Sequence, residues 1–139
     1  MACYLRVFGE NLDADALVSA IPLTWDDIWR KGAKKTVAIK DRPPEHLNSG
    51  VQVLVPSEGD DVDTLVAAAI LFLREHEPEM RKLSTHAGVE RVYLDFAVFW
   101  KPDSAAQFSR LPPELLALAG GLGFWVELSH YLTSSDGEE

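Results

Sequence analysis

One cysteine, Cys3, is all that the 139 residues contain. That excludes an internal disulfide framework and a cysteine-built zinc site. Long apolar runs are also missing. The longest, Leu65 to Leu73, is nine residues, whereas a membrane-crossing helix needs about 20. The opening MACYLRVFGE has no basic patch leading into an extended apolar stretch. No secretory leader is therefore expected, and the expected location is cytoplasmic, away from membranes. Positive charge is scarce: 13 Lys and Arg stand against 22 Asp and Glu, a net charge of -9. Nucleic acid is a poor main partner for such a chain, because neutralising phosphates needs a dominant basic surface. A basic protein partner would be steered towards it.

The chemical motifs are equally sparse. His46, His76, His86 and His130 include no pair at i, i+4 spacing, and none lies in HExxH. Asp60, Asp61 and Asp63, with Glu75, Glu77 and Glu79, lack the order of a calcium loop. They suit solvated helix ends. No serine sits in GxSxG, and Gly120, Gly121 and Gly123 follow a helix, whereas a phosphate-cradling loop precedes one. These glycines read as a helix stop and a tight turn. No catalytic residue, metal or cofactor is expected.

What is present describes a globular domain. The hydrophobic fraction is 47%, and a chain of this length buries a core without staples. Cys3 to Phe8 alternates as a strand and Gly9 ends it. Asp13 caps a helix over residues 14–20, which Pro22 stops. Val51, Val53 and Val55 mark a second strand. VDTLVAAAILFLREH from Val62 is apolar over most of its circumference, so it is a helix buried on more than one side. Pro78 kinks it or begins a short helix through Leu83. Arg91 to Lys101 is a long strand, 113–119 a helix, and 124–132 the last strand. Residues 134–139, SSDGEE, read as a disordered acidic tail on a single α+β domain spanning 1–133. The fold expected is a two-layer α+β sandwich, a mostly antiparallel four- to five-stranded sheet with helices on one face. Strand 3–8 with helix 14–20 resembles strand 91–101 with helix 113–119, a weak internal pseudo-repeat.

Residues 24–42, TWDDIWRKGAKKTVAIKDR, are unusual. They hold six of the thirteen basic residues, and without this segment 7 basic residues remain against 19 acidic, or -12. Trp25 with Ile28 or Trp29 has the spacing of one helical turn, and residues 36–40 read as a short edge strand. Arg30 and Lys31 are candidate anion donors; alternatively the run is a solvated loop that balances the acidic body.

Alternation carries the sharpest expectation. If the valine-rich sets face the helices, the other side shows Tyr4, Arg6, Phe8, Gln52, Leu54, Tyr93, Asp95, Phe99, Trp125, Glu127 and Tyr131. Six aromatics with one arginine and two carboxylates is not an ordinary solvated face. Three coverings compete: the basic loop with Trp25 or Trp29 as plug, a homodimer partner, or a ligand or protein target. Arg6 with Asp95 or Glu127 reads as a cross-strand ion pair before a catalytic one.

Leu5 to Gly9, Leu12 to Ile21 and above all Trp29-Arg30-Lys31-Gly32 resemble a bacterial domain-of-unknown-function family of small cytosolic α+β proteins. Pro112-Pro113-Glu114 and the final strand fit the same pattern. The family usually has an acidic residue after that glycine, where this chain has Ala33 and Lys34. The resemblance implies the fold and no transferable activity. The function expected is a non-enzymatic binding protein, of the immunity type that neutralises a basic toxin. The alternatives are a small-ligand or regulatory module using the basic loop and the aromatic face, and an enzyme with Asp95 or Glu127 as base.

Overall fold

The computed structural model describes residues 1–100, 103 and 105–132. Among the described residues nine elements follow one another: β1 (Ala2–Gly9), α1 (Ala14–Ala20), β2 (Asp27–Trp29), β3 (Ser49–Leu54), α2 (Val62–Glu75), α3 (Glu77–Leu83), β4 (Arg91–Trp100), α4 (Pro113–Leu122) and β5 (Trp125–Leu132). The five strands form one sheet in the order β2-β3-β1-β4-β5. All pairings are antiparallel except β4 with β5, which run parallel through the α4 crossover. The expected α+β architecture is therefore the observed one. The acidic tail expected at 134–139 lies outside the described residues.

Local chemistry explains the helix ends. The Asp13 carboxylate accepts from the Ala16 amide at 3.0 Å, and that of Asp61 accepts from the Thr64 amide at 2.9 Å. Each satisfies an amide that the first helical turn leaves open. The Thr64 hydroxyl also donates to Asp61, at 2.7 Å, and it, with the Thr64 amide, holds the Asp61 carboxyl below the usual carboxylate range. Pro78 sits in the first turn of α3, where its missing amide costs nothing. Gly123 closes α4 in the left-handed conformation at φ 79°, which favours glycine.

The core lies between the sheet and the helices. Cys3, Leu5 and Val7 of β1 and Val92, Leu94, Phe96 and Val98 of β4 are all essentially inaccessible. Leu17, Leu65, Leu73, Met80, Leu83 and Leu115 meet them from the helices. Alternation thus sends each strand's apolar set inward, and Val126 and Leu128 of β5 pack at its margin. Cys3 is part of this packing. Burial first, then the nearby Asp95 charge, pushes its thiol far above the ordinary range. A thiol kept protonated is inert. Ellman's reagent should leave Cys3 unmodified in the native protein and titrate one thiol per chain in denaturant; fast native reaction would contradict the packing.

Three local expectations are corrected. Residues 27–29 form no helical turn; they are strand β2, because Asp27, Ile28 and Trp29 pair with Gln52, Val51 and Gly50. Ile28 packs against the core, so a period of two wins over the apparent helical spacing. Residues 36–40 form no strand, and the loop's one isolated bridge joins Lys34 to Glu45. Gly120 and Gly121 lie inside α4, leaving only Gly123 as its stop. The two resembling units also differ. β4-α4-β5 returns to the adjacent strand, whereas β1-α1-β2 returns with β3 lying between.

Candidate functional site on the outer sheet face

With the helices on one side, the other side of the sheet is defined by register. Tyr4 pairs with Leu54 and Asp95, Arg6 with Gln52 and Tyr93, and Asp95 with Glu127. Tyr93 pairs with Trp125, and Phe99 with Tyr131. Directly opposite residues point to the same side of a sheet. The alternation therefore brings Tyr4, Arg6, Tyr93, Asp95, Phe99, Trp125 and Glu127 onto one surface.

A chain of polar contacts crosses four strands at its centre. Arg6 Nε donates to Gln52 Oε1 of β3 at 2.6 Å. The same guanidinium forms an ion pair with Asp95 of β4. The other Asp95 oxygen, Oδ1, accepts from Ser129 Oγ of β5 at 2.7 Å. Asp95 is 0% exposed although it stands on the open side, because its neighbours close over it. Arg6 spans the gap with its guanidinium carbon 5.2 Å from the centre of the Tyr4 ring. A carboxylate that accepts from two donors is electrostatically satisfied and poorly placed to take a proton from a substrate. The Arg6–Asp95 pair therefore reads as structural. Glu127 stands exposed in the next strand.

Aromatic groups run beside this polar chain. Phe8 stacks on Tyr93 at 5.7 Å, and Tyr93 meets Trp125 edge-on at 6.3 Å. Arg91 lies 4.1 Å from the Trp125 ring centre and donates to Tyr93 Oη at 3.0 Å. At the β2 end the Trp29 indole lies over Gly50; a Cβ on that glycine would come within 2.2 Å of the ring. Trp29 Nε1 donates to Asn48 Oδ1 at 2.9 Å, which fixes the indole. The β5 end stays open, with Trp125 54%, Tyr131 51% and Phe99 38% exposed.

The rest of the basic segment lies elsewhere. Trp25 packs against the core margin and donates to the Ile21 carbonyl at 3.0 Å. Arg30 makes a two-pronged pair with Asp15 of α1, at 3.0 and 2.7 Å. That pairing lowers the Asp15 carboxyl below its ordinary range and raises the guanidinium. Lys31 reaches Glu10 at 3.4 Å. The loop is thus no plug across the aromatic side. It adds an edge strand and turns Arg30 and Lys31 towards the β1–α1 corner. Within the loop, Trp29 covers the Gly50 end of the face, with the His46 ring 6.2 Å from its own.

Sequence reasoning missed Gln52 and Ser129 as partners of the central pair and Arg91 as the cation on Trp125. Alternation and strand order together would have placed Gln52 beside Arg6, but order is not written in any single strand. A groove of about 700 Å³ between α2 and residues 110–113 contains none of these groups; Val66, Ile70, Leu111 and Pro112 line it, with Asp63 and Arg110 at its rim. Among the described residues no cluster of three His, Cys, Asp or Glu is arranged to hold a metal ion, and no helix is long and apolar enough to cross a membrane. No family model, curated protein or solved structure matches the chain, so the likeness carried by Trp29 to Gly32 rests on those residues alone.

Proposed function

We propose that this chain is a non-enzymatic binding protein that docks a basic protein partner on the outer sheet face, around Tyr93, Phe99, Trp125 and Tyr131, with Glu127 as the charged contact. One observation carries the reading: exposed rings at the β5 end and half-buried rings on β1 and β4 flank an arginine and a buried carboxylate that already neutralise each other. A partner covering this region gains aromatic burial without stranding the Asp95 charge. The net charge of -9 accelerates encounter with a basic partner. An immunity-type role, in which that partner is a toxin, fits the same chemistry. The basic loop is a weaker candidate for the site, since Arg30 and Lys31 already have carboxylate partners.

The test is co-expression with the products of adjacent genes, followed by calorimetry on any basic partner recovered. Trp125→Ala should weaken binding at least roughly thirtyfold, as central aromatic anchors do. Arg30→Ala should leave affinity unchanged, and the on-rate should fall as salt rises. If both substitutions weaken binding equally, or Trp125→Ala has no effect, the outer face is not the docking surface. If no basic partner is recovered, the proposal fails.

A further inference from the structure

The two edges of the sheet are treated differently. β2 is three residues long and runs directly into Arg30 and Lys31. Short length and charge are the usual means of protecting an edge from pairing. β5 is eight residues long, WVELSHYL, with no lysine, arginine, proline or glycine. Among the described residues its backbone pairs only with β4. A long edge of this composition is a template for another strand.

We infer that the occupant is β5 of a second copy, paired antiparallel about a twofold axis perpendicular to the sheet. Such an axis keeps both outer faces on the same side, so odd-numbered residues must oppose odd-numbered ones. Centring the ladder on Leu128 then sets Trp125 opposite Tyr131 of the second copy, twice. It also sets Glu127 opposite Ser129, Val126 opposite His130 and Leu128 opposite itself. Aromatic pairs close both ends, and no like charges meet. Centring on Glu127 would put two carboxylates face to face. Centring on Ser129 would set Tyr131 opposite Glu127 and lose both aromatic pairs. Of these three registers, only the one centred on Leu128 sets ring against ring at both ends. The ladder joins two five-stranded sheets into one of ten strands, with the Trp125 and Tyr131 rings along the seam. The ladder forms at the strand edge and shares Trp125 and Tyr131 with the docking surface proposed above; sedimentation of the chain without any partner tests the ladder by itself.

The contact is small for a dimer, so a dissociation constant of roughly 10–100 µM is expected. Sedimentation velocity on the full chain from about 5 to 500 µM would read it directly. Tyr131→Lys removes both end pairs and places a charge on the edge, and should weaken the dimer roughly thirtyfold. Register is read by cross-linking. Trp125→Cys/Tyr131→Cys should oxidise to a covalent dimer about tenfold faster than either single variant, since opposed Cβ atoms fall within disulfide reach. Circular dichroism would verify that each variant is folded. A monomer at every concentration overturns the inference. So does a dimer whose single-cysteine variants cross-link as fast as the double, which would put the contact in another register or on another surface.

Discussion

Replacing Arg6 with alanine is expected to destabilise the protein by about 3 kcal/mol, the low end of the cost of breaking a buried ion pair. The reason is the partner it abandons. Asp95 is inaccessible and stands on β4 between two paired strands, so removing the guanidinium leaves a carboxylate whose remaining side-chain donor is the Ser129 hydroxyl. Arg6 itself is 31% exposed, and water entering its vacated space limits the loss. The double variant Arg6→Met/Asp95→Leu removes both charges and fills the same volume, and should recover most of the deficit. Equilibrium urea unfolding measures both. If Arg6→Ala and the double variant lose the same stability, packing rather than uncompensated charge sets the cost. If Arg6→Ala loses less than about 1 kcal/mol, the pair behaves like a surface contact.

The second large effect is a contrast in sign. Gly9→Ala should cost on the order of 3 kcal/mol, because an added Cβ would lie 1.9 Å from the Gly88 carbonyl oxygen. That neighbour is backbone and cannot rotate away. Relief requires β1 to part from residues 88–90, where the Glu90 amide donates to the Phe8 carbonyl at 3.0 Å. Gly120→Ala should do the opposite. It lies within α4, is exposed, and has nothing within 4 Å of a new Cβ. Removing glycine's unfolded-state freedom there should stabilise by a few tenths to about 1 kcal/mol. Thermal unfolding of the two variants should move in opposite directions. A fall for both would mean that α4 does not hold this backbone; a neutral Gly9→Ala would mean the β1 corner is looser than its contacts indicate.

The sheet faces were legible in the sequence because alternation is local: Val92, Leu94, Phe96 and Val98 each declare a side without reference to any other strand. The long helix was legible from LVAAAILFL for the same reason. β2 was hidden. Three residues give no period, and the spacing of Trp25, Ile28 and Trp29 also suits a helical turn. Only pairing with Gln52, Val51 and Gly50, more than twenty residues onward, decides it. The candidate site divides in the same way. Its membership follows from parity along β1, β4 and β5, so the aromatic side could be written down in advance. Its wiring depends on strand order, which no single segment encodes. Hence Arg6 could be paired with Asp95 or Glu127 but not assigned to one, and Ser129 went unnoticed. The fate of Arg30 and Lys31 was illegible because Asp15 and Glu10 reach them only once the corner after β1 has formed.

β1 lies at the middle of the sheet, yet both strands that flank it come much later in the chain. During synthesis it must wait for β3, and then for β4, whose first residue is Arg91. At ribosomal speeds of about 5–20 residues per second that delay is several seconds, far longer than a hairpin needs to close. Chaperone-depleted translation should therefore expose the stretch from Ala2 to Gly9 as the vulnerable part of the nascent chain.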